Sequence, residues 1–447
     1  MRRAPTLIGT ALLAAAAALS ACSSSSSDSS NGNVTLRYAL WVDTQAPAYQ
    51  DCANAFHADH PNIKIKIEQT AWAEYWTNLT TEVTAGTAPD VFTDSVAYYP
   101  DFQTNNQIVD LEPYVKRDHV DLSHFRPGLA DLWVRDGKRY GLPKDWDAVA
   151  LVYNAKLVQA AGVDPASLQN LTWNPTDGGD FEKLIAKLSV DDHGRRGDQP
   201  GFDKNHVKTY GIVLDLDAGA GGQTSWGNLA VANGFQFLDK NPFGTHYEYD
   251  DPKLAETIAW IKGLQDKGYL GRYSQHSSLG SDAVLASGRA ALGMAGSWMA
   301  STYLSNKKVD FAFAPLPAGP AGRHTASNTL SDAIYAGGKH KDQAWEWVKF
   351  LASPKCQHLV AKRAVVFPAI KSASDEALSA FRSQHMDMQA FVTETSQPGA
   401  SFLLPLTDHA ADVAETVQNG LDGVWLGQDS PADALKKVND HVNGLFK

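Results

Sequence analysis

The hydrophobic period of the chain switches repeatedly between Val34 and Ser95, and this switching limits the possible fold more than any other feature. From Val34 to Val42 every even-numbered residue is apolar, the alternation of a strand with one buried face. From Ala46 to His60 the pattern turns helical, with Tyr49, Ala53, Phe56 and His60 on one face and Pro61 as the stop. Ile63-Lys64-Ile65-Lys66-Ile67-Glu68 alternates again. Glu74–Ala85 is helical in pattern, Gly86-Thr87-Ala88-Pro89-Asp90 breaks it, and Val91-Phe92 is a third short strand. Strand, helix, strand, helix, strand predicts an α/β fold with a parallel sheet and right-handed crossovers. Ligands of such sheets bind outside the carboxyl ends of the strands. Those ends are Trp41-Val42-Asp43, Thr70-Ala71-Trp72 and Thr93-Asp94-Ser95.

The remaining chain continues in the same style. Strands are expected at 148–153, 210–216, 290–294 and 311–314. Helices are expected at 181–188, 252–268, 283–288, 342–351, 413–421 and 431–445. Trp260, Trp345 and Trp347 fall within helical patterns and read as core.

The N-terminus carries a different message. Arg2 and Arg3 precede an apolar stretch from Leu7 to Leu19, the order of an export signal. The stretch is too short to cross about 30 Å of hydrocarbon. It ends in Leu19-Ser20-Ala21-Cys22, which resembles the lipobox of bacterial lipoproteins. The resemblance implies a signal peptide at 1–21, with Cys22 lipidated as the first mature residue. Residues 23–33 contain only Ser, Asp, Asn and Gly, too polar to offset their ordering entropy. Residues 22–33 are thus expected to be a flexible tether reaching roughly 15–20 Å. The expected location is the extracellular face of a bacterial cell membrane. A net charge of -11 argues against nucleic acid. Of three cysteines, Cys52 and Cys356 remain after Cys22; a disulfide and two buried free thiols are both open.

Six ordered stretches then point to one family. They are Gly86–Val91, Tyr140–Asp147 running to Tyr153-Asn154, Gly288–Leu292, Gly296-Ser297-Trp298, Ala314–Pro320 and Ala344–Leu351. Their order and spacing resemble the extracellular solute-binding proteins that serve carbohydrate ABC importers, the family that includes the maltose-binding protein. The resemblance runs from about Val34 to the C-terminus. It implies a two-lobed, periplasmic-binding-protein-like (Venus-flytrap) α/β fold with three hinge crossings. These are expected near Asp145–Val149, Val309–Phe313 and Ala364–Pro368. Lobe one would be 34–146 plus 313–365, and lobe two 147–310 plus 366–447. Cys52 and Cys356 would then share lobe one, which favours the disulfide. The resemblance also implies a monomeric receptor with a carbohydrate ligand, permease subunits of an importer as partners, no cofactor and no enzymatic activity.

A sugar presents hydroxyls at its ring edge and apolar C–H faces, so acidic and amide side chains with stacking aromatics are the chemistry to seek. Asp147 lies in the first crossing, where the family places a cleft-facing acid, with Lys144 and Asp145 beside it. Asp43, Trp72 and Asp94 follow the first three strands. Trp298 matches the family's cleft tryptophan. Trp226 sits in a Gly-rich stretch, where an exposed aromatic would imply a ligand. Asn328, Ser331 and Asp332 are expected in a polar loop. The number of tryptophans leans towards a di- or oligosaccharide.

Other chemistries find less support. His57 and His60 share a face but lack a third ligand at metal spacing. Gly219-Ala220-Gly221-Gly222 lacks the Lys-Ser/Thr of a phosphate loop. No Gly-x-Ser-x-Gly elbow occurs. Asp215 and Asp217 would point to opposite strand faces, poor geometry for paired acid–base work. Two alternatives remain: a secreted glycan-active enzyme, and a receptor of the same shape for a polyol phosphate.

Overall fold

β1 (Val34–Leu40) realises the even-numbered alternation, with Leu36, Tyr38 and Leu40 buried. Ala39 is buried as well, because elements cover this sheet on both faces, as parallel sheets require. The computed structural model describes residues 33–217, 219–276 and 280–447. The expected signal peptide, the lipidated Cys22 and all but the last residue of the tether lie outside the described residues.

α1 (Ala46–Asp59) carries a proline in its first turn and buries Ala48, Tyr49, Cys52, Ala53 and Phe56. β2 (Ile63–Gln69) is an edge strand with Lys64 and Lys66 exposed, charges that discourage edge-to-edge pairing. α2 (Trp72–Ala85) starts two residues earlier than expected and ends on Gly86. That glycine adopts φ 75°, and its N–H caps the Glu82 and Val83 carbonyls, a left-handed stop that favours glycine. β3 (Val91–Ser95) is longer than expected and wholly buried.

The first sheet has the order Leu330–Ile334, β3, β1, β2. β1 pairs in parallel with β2 and β3, and Leu330–Ile334 runs antiparallel to β3. The second sheet has the order Phe311–Ala314, Val149–Asn154, Ala290–Gly296, Val207–Val213, Val190–Asp191. One buried cluster runs from Tyr38 and Trp347 under the first sheet to Val152 and Phe313 of the second.

Phe311 and Phe313 extend the edge of the second sheet by pairing with Val149–Asn154. The chain next joins the first sheet at Leu330–Ile334, beside β3. Helix Lys371–Ser383 buries small residues (Ala373, Ser374, Ala377) and packs on helix Pro354–Arg363 of the first lobe. Helix Gln389–Glu394 lies against Val149–Asn154 and Phe311–Ala314 of the second sheet. Asp145–Trp146 pairs antiparallel with Phe367–Pro368, tying two of the crossings together.

Cys52 of α1 and Cys356 of helix Pro354–Arg363 form a disulfide across 304 residues of sequence. Cross-linking so distant a pair restricts the unfolded chain. Replacing both by alanine is expected to cost about 2–4 kcal/mol in chemical denaturation. An unchanged denaturation midpoint would contradict this contribution.

Candidate functional site

Side chains from three strand ends meet at the carboxyl edge of the first sheet. Trp41 follows β1, Trp72 and Trp76 open α2 one turn apart on one face, and Tyr98 follows β3. Trp41 lies 5.2 Å from Trp72 and 5.5 Å from Trp76, centroid to centroid. Trp72 and Trp76 meet edge to face at 5.6 Å, and Trp76 stacks on Tyr98 at 4.1 Å. Trp72 keeps 50% of its surface exposed, unusual for an indole. Sequence reasoning reached Trp72 but missed Trp41, Trp76 and Tyr98. The i, i+4 tryptophans of Trp72-Ala73-Glu74-Tyr75-Trp76 were the available signal.

Asp43 follows Trp41 by two residues and is exposed in a short helical turn, where its Oδ1 accepts the Thr44 N–H at 2.7 Å. Asp94 is different. It is fully buried, its Oδ1 accepts the Ser95 N–H at 2.8 Å, and its Oδ2 has no partner among the described residues. Burial pushes its carboxyl well above the usual range. Ser331 stands opposite Asp94 in register, and its buried Oγ also lacks a partner among the described residues. Ser331 and Asp332 lie in strand Leu330–Ile334, not in the polar loop expected for them.

Lys144 and Asp332 are spent on each other. The Lys144 ammonium donates to Asp332 Oδ1 at 3.1 Å, Thr93 Oγ1 at 2.8 Å and Tyr38 Oη at 2.5 Å, and sits 4.0 Å from the Tyr49 ring centroid. Both charged side chains are only 3% exposed. Asp145 is buried too. Its Oδ1 accepts the Leu330 N–H at 3.0 Å and its carbonyl accepts the Thr329 hydroxyl at 2.6 Å. Burial, partly opposed by Lys144, pushes its carboxyl up to about 6. These bonds tie residues 144–145 to residues 329–332.

Asp147 and Asn328 are both partly exposed and are bonded to each other. Asp147 Oδ1 accepts the Asn328 N–H at 2.7 Å, and its carboxylate accepts longer bonds from Gln223 Nε2 at 3.4–3.5 Å. The Asn328 side chain donates to Ser95 Oγ at 3.3 Å. Burial pushes the Asp147 carboxyl well up. These bonds link Ser95 of β3, Asp147, Asn328 and Gln223; sequence reasoning missed Gln223. Trp298 is partly buried in a turn after Ala290–Gly296 and lies across Gly296, where a Cβ would fall 2.1 Å from its ring. Trp226 is not the exposed aromatic expected. It opens a helix, is 1% exposed and lies under Gly222 in the second-lobe core.

Residues 51–387 match the family model described as bacterial extracellular solute-binding protein. The chain is similar to the galactooligosaccharide-binding protein of Bacillus subtilis (strain 168), 24% identical over 419 residues that cover 91% of this chain and 89% of the relative. It is also similar to UspC of M. tuberculosis, with a TM-score of 0.70 and 25% identity, covering 92% of this chain and 100% of that one. Its fold is like that of the ABC substrate-binding protein Lmo0181 from Listeria monocytogenes in complex with cycloalternan. There the TM-score is 0.79 at 19% identity, with 92% and 99% covered. Among the described residues no helix is long and apolar enough to cross a membrane.

Proposed function

The chain belongs to the bacterial extracellular solute-binding proteins, and on that premise we propose that it is the carbohydrate receptor of an ABC importer. It captures a di- or oligosaccharide between its lobes and presents the closed form to the permease subunits. The observation that carries this reading is the exposed Trp72 indole, backed by Trp41, Trp76 and Tyr98 at the carboxyl edge of the first sheet. Such a face stacks on sugar C–H groups. Asp147, Asn328 and Asp43 supply acceptors and donors for ring hydroxyls, and Trp298 is the second-lobe counterpart. Asp94 and Ser331 offer further partners once uncovered. Lys144, Asp145 and Asp332 hold the crossings, and Trp226 supports the second-lobe wall from behind.

Ligand bound to one lobe gains contacts with the other only on closure, which is the differential affinity that drives closure. No bond is made or broken. The lobes divide as 34–146 plus 330–383, and 147–327 plus 389–447. The receptor acts as a monomer, anchored through lipid at Cys22, and the tether keeps it at high effective concentration near its transporter.

Trp72→Ala tests the site. It is expected to weaken binding of whichever sugar raises the melting temperature by roughly tenfold, about 1.4 kcal/mol. It should leave the melting temperature of the free protein nearly unchanged, since half of the side chain is already in water. Unaltered affinity would remove the platform from the site.

A further inference from the structure

Helices Pro354–Arg363 and Lys371–Ser383 pack side by side. Their buried faces carry small residues, Ala361 on one and Ala373, Ser374 and Ala377 on the other, so the backbones approach closely. The first helix is held near its start by the Cys52–Cys356 disulfide and by Gln357. That side chain donates to the Pro143 carbonyl at 3.0 Å and accepts the Ile370 N–H at 2.7 Å. The second helix is held at its entry by the Lys371 N–H, which donates to the His124 carbonyl at 3.2 Å. Three polar side chains meet where this seam reaches solvent. Ser372 and Glu376 stand one turn apart on one face of the second helix, and His358 comes from the first. Ser372 Oγ lies 3.3 Å from His358 Nε2, and His358 Nδ1 bonds Glu376 Oε2. An ionised glutamate only accepts. The neutral ring therefore carries its proton on Nδ1 and leaves the Nε2 lone pair for the Ser372 hydroxyl.

We propose that Ser372, His358 and Glu376 form a triad that hydrolyses small carboxylic esters. Such a triad is recognised by the geometry of nucleophile, base and orienting acid, not by sequence order, and this one has no Gly-x-Ser-x-Gly elbow to announce it. Ser372 is exposed, while the His358 and Glu376 side chains are 34% and 35% exposed; the nucleophile is open to substrate and the base is partly shielded. Ser372 lies in the first turn of a 13-residue helix without a side-chain cap. The first N–H groups of a helix have no intrahelical acceptor, so those of Ser372 and Ala373 are the donors for a developing oxyanion. Ser372 Oγ bonds to the ester carbonyl carbon as its proton passes to His358 Nε2. The bond from that carbon to the alcohol oxygen breaks, and the alcohol leaves with the proton from His358. Water then attacks the acyl-serine and gives a proton to His358, which returns one to Ser372 Oγ as the carboxylic acid leaves. Glu376 is the positioning residue: it holds the Nδ1–H and balances the imidazolium. None of the three belongs to the aromatic platform, and no glycosidic bond is involved, so the proposal is independent of sugar capture.

The test is hydrolysis of p-nitrophenyl acetate by the protein, with fluorophosphonate labelling located by peptide mass spectrometry. Turnover above buffer and a label on Ser372 are expected. Ser372→Ala and His358→Ala should each lower kcat/KM by about a hundredfold, the lower end of what a positioned acid–base group contributes, and abolish the label. Glu376→Gln keeps an acceptor for the Nδ1–H but loses the charge, and should lower kcat severalfold with KM unchanged. Melting temperatures are recorded in parallel. No label on Ser372, or hydrolysis by Ser372→Ala at the wild-type rate, would overturn the triad. Variants that melt earlier yet hydrolyse as wild type would do the same, by reducing the three residues to a structural contact. Sugar binding is untouched by each of these outcomes.

Discussion

Lys144→Met is expected to destabilise the protein by about 3–5 kcal/mol in urea denaturation. The methionine fills similar volume but removes the ammonium that Asp332, Thr93 and Tyr38 all face. Asp332 is then a buried carboxylate without its counter-charge, and removing one partner of a buried pair costs far more than the pair contributes net. The double variant Lys144→Met with Asp332→Leu should recover much of the loss, because it leaves no stranded charge. A Lys144→Met protein within about 1 kcal/mol of wild type would show that the network is not the anchor of the crossings.

Glu394→Gln is expected to change how stability depends on pH. Glu394 is fully buried; its Oε1 accepts the Leu316 N–H at 2.5 Å, and its Oε2 has no partner among the described residues. Burial pushes its carboxyl up to about 8, against the opposing pull of the Leu316 N–H and Arg323. In the unfolded chain the group titrates near 4.5. Between those values the folded protein holds a proton that the unfolded chain has released. The contribution of Glu394 to stability therefore declines as pH rises through that window and levels off above about 8. The decline amounts to roughly 5 kcal/mol in total. Glutamine keeps the acceptor for Leu316 and cannot titrate. The gap between variant and wild type should thus move in favour of the variant by on the order of 4 kcal/mol between pH 5 and pH 8.5. Parallel pH profiles for the two proteins would contradict the assignment of this proton to Glu394.

Much of the first lobe was legible because its signals are local. The even-numbered alternation of Val34–Val42, the i, i+4 face of Ala46–Asp59 and the Gly86 stop each lie within one element. Helices Pro354–Arg363 and Lys371–Ser383 were not read, and their buried faces explain why. Cys356, Gln357, Val360 and Ala361 line one, and Ala373, Ser374, Ala377 and Phe381 the other. Small and polar side chains pack these helices closely but leave little hydrophobic period to detect. The site divides in the same way. Trp72 was visible from its place after a strand. The pairing of Lys144 with Asp332 spans 188 residues and no local pattern signals it. Trp226 misled because glycines usually mark an exposed loop. Here Gly222 serves the opposite purpose, letting the backbone pass over a buried indole, where a Cβ would stand 2.5 Å from the ring.

Whether the protein captures a carbohydrate without cleaving it is decided by titration calorimetry against starch-type, plant-type and chitin-type di- and oligosaccharides, with the solution assayed afterwards for cleaved sugar. Saturable heat is expected with at least one of them, with weaker heat for Trp72→Ala and the sugar recovered intact. A folded protein that binds none of the panel, or one that returns shortened sugars, would contradict the carbohydrate reading.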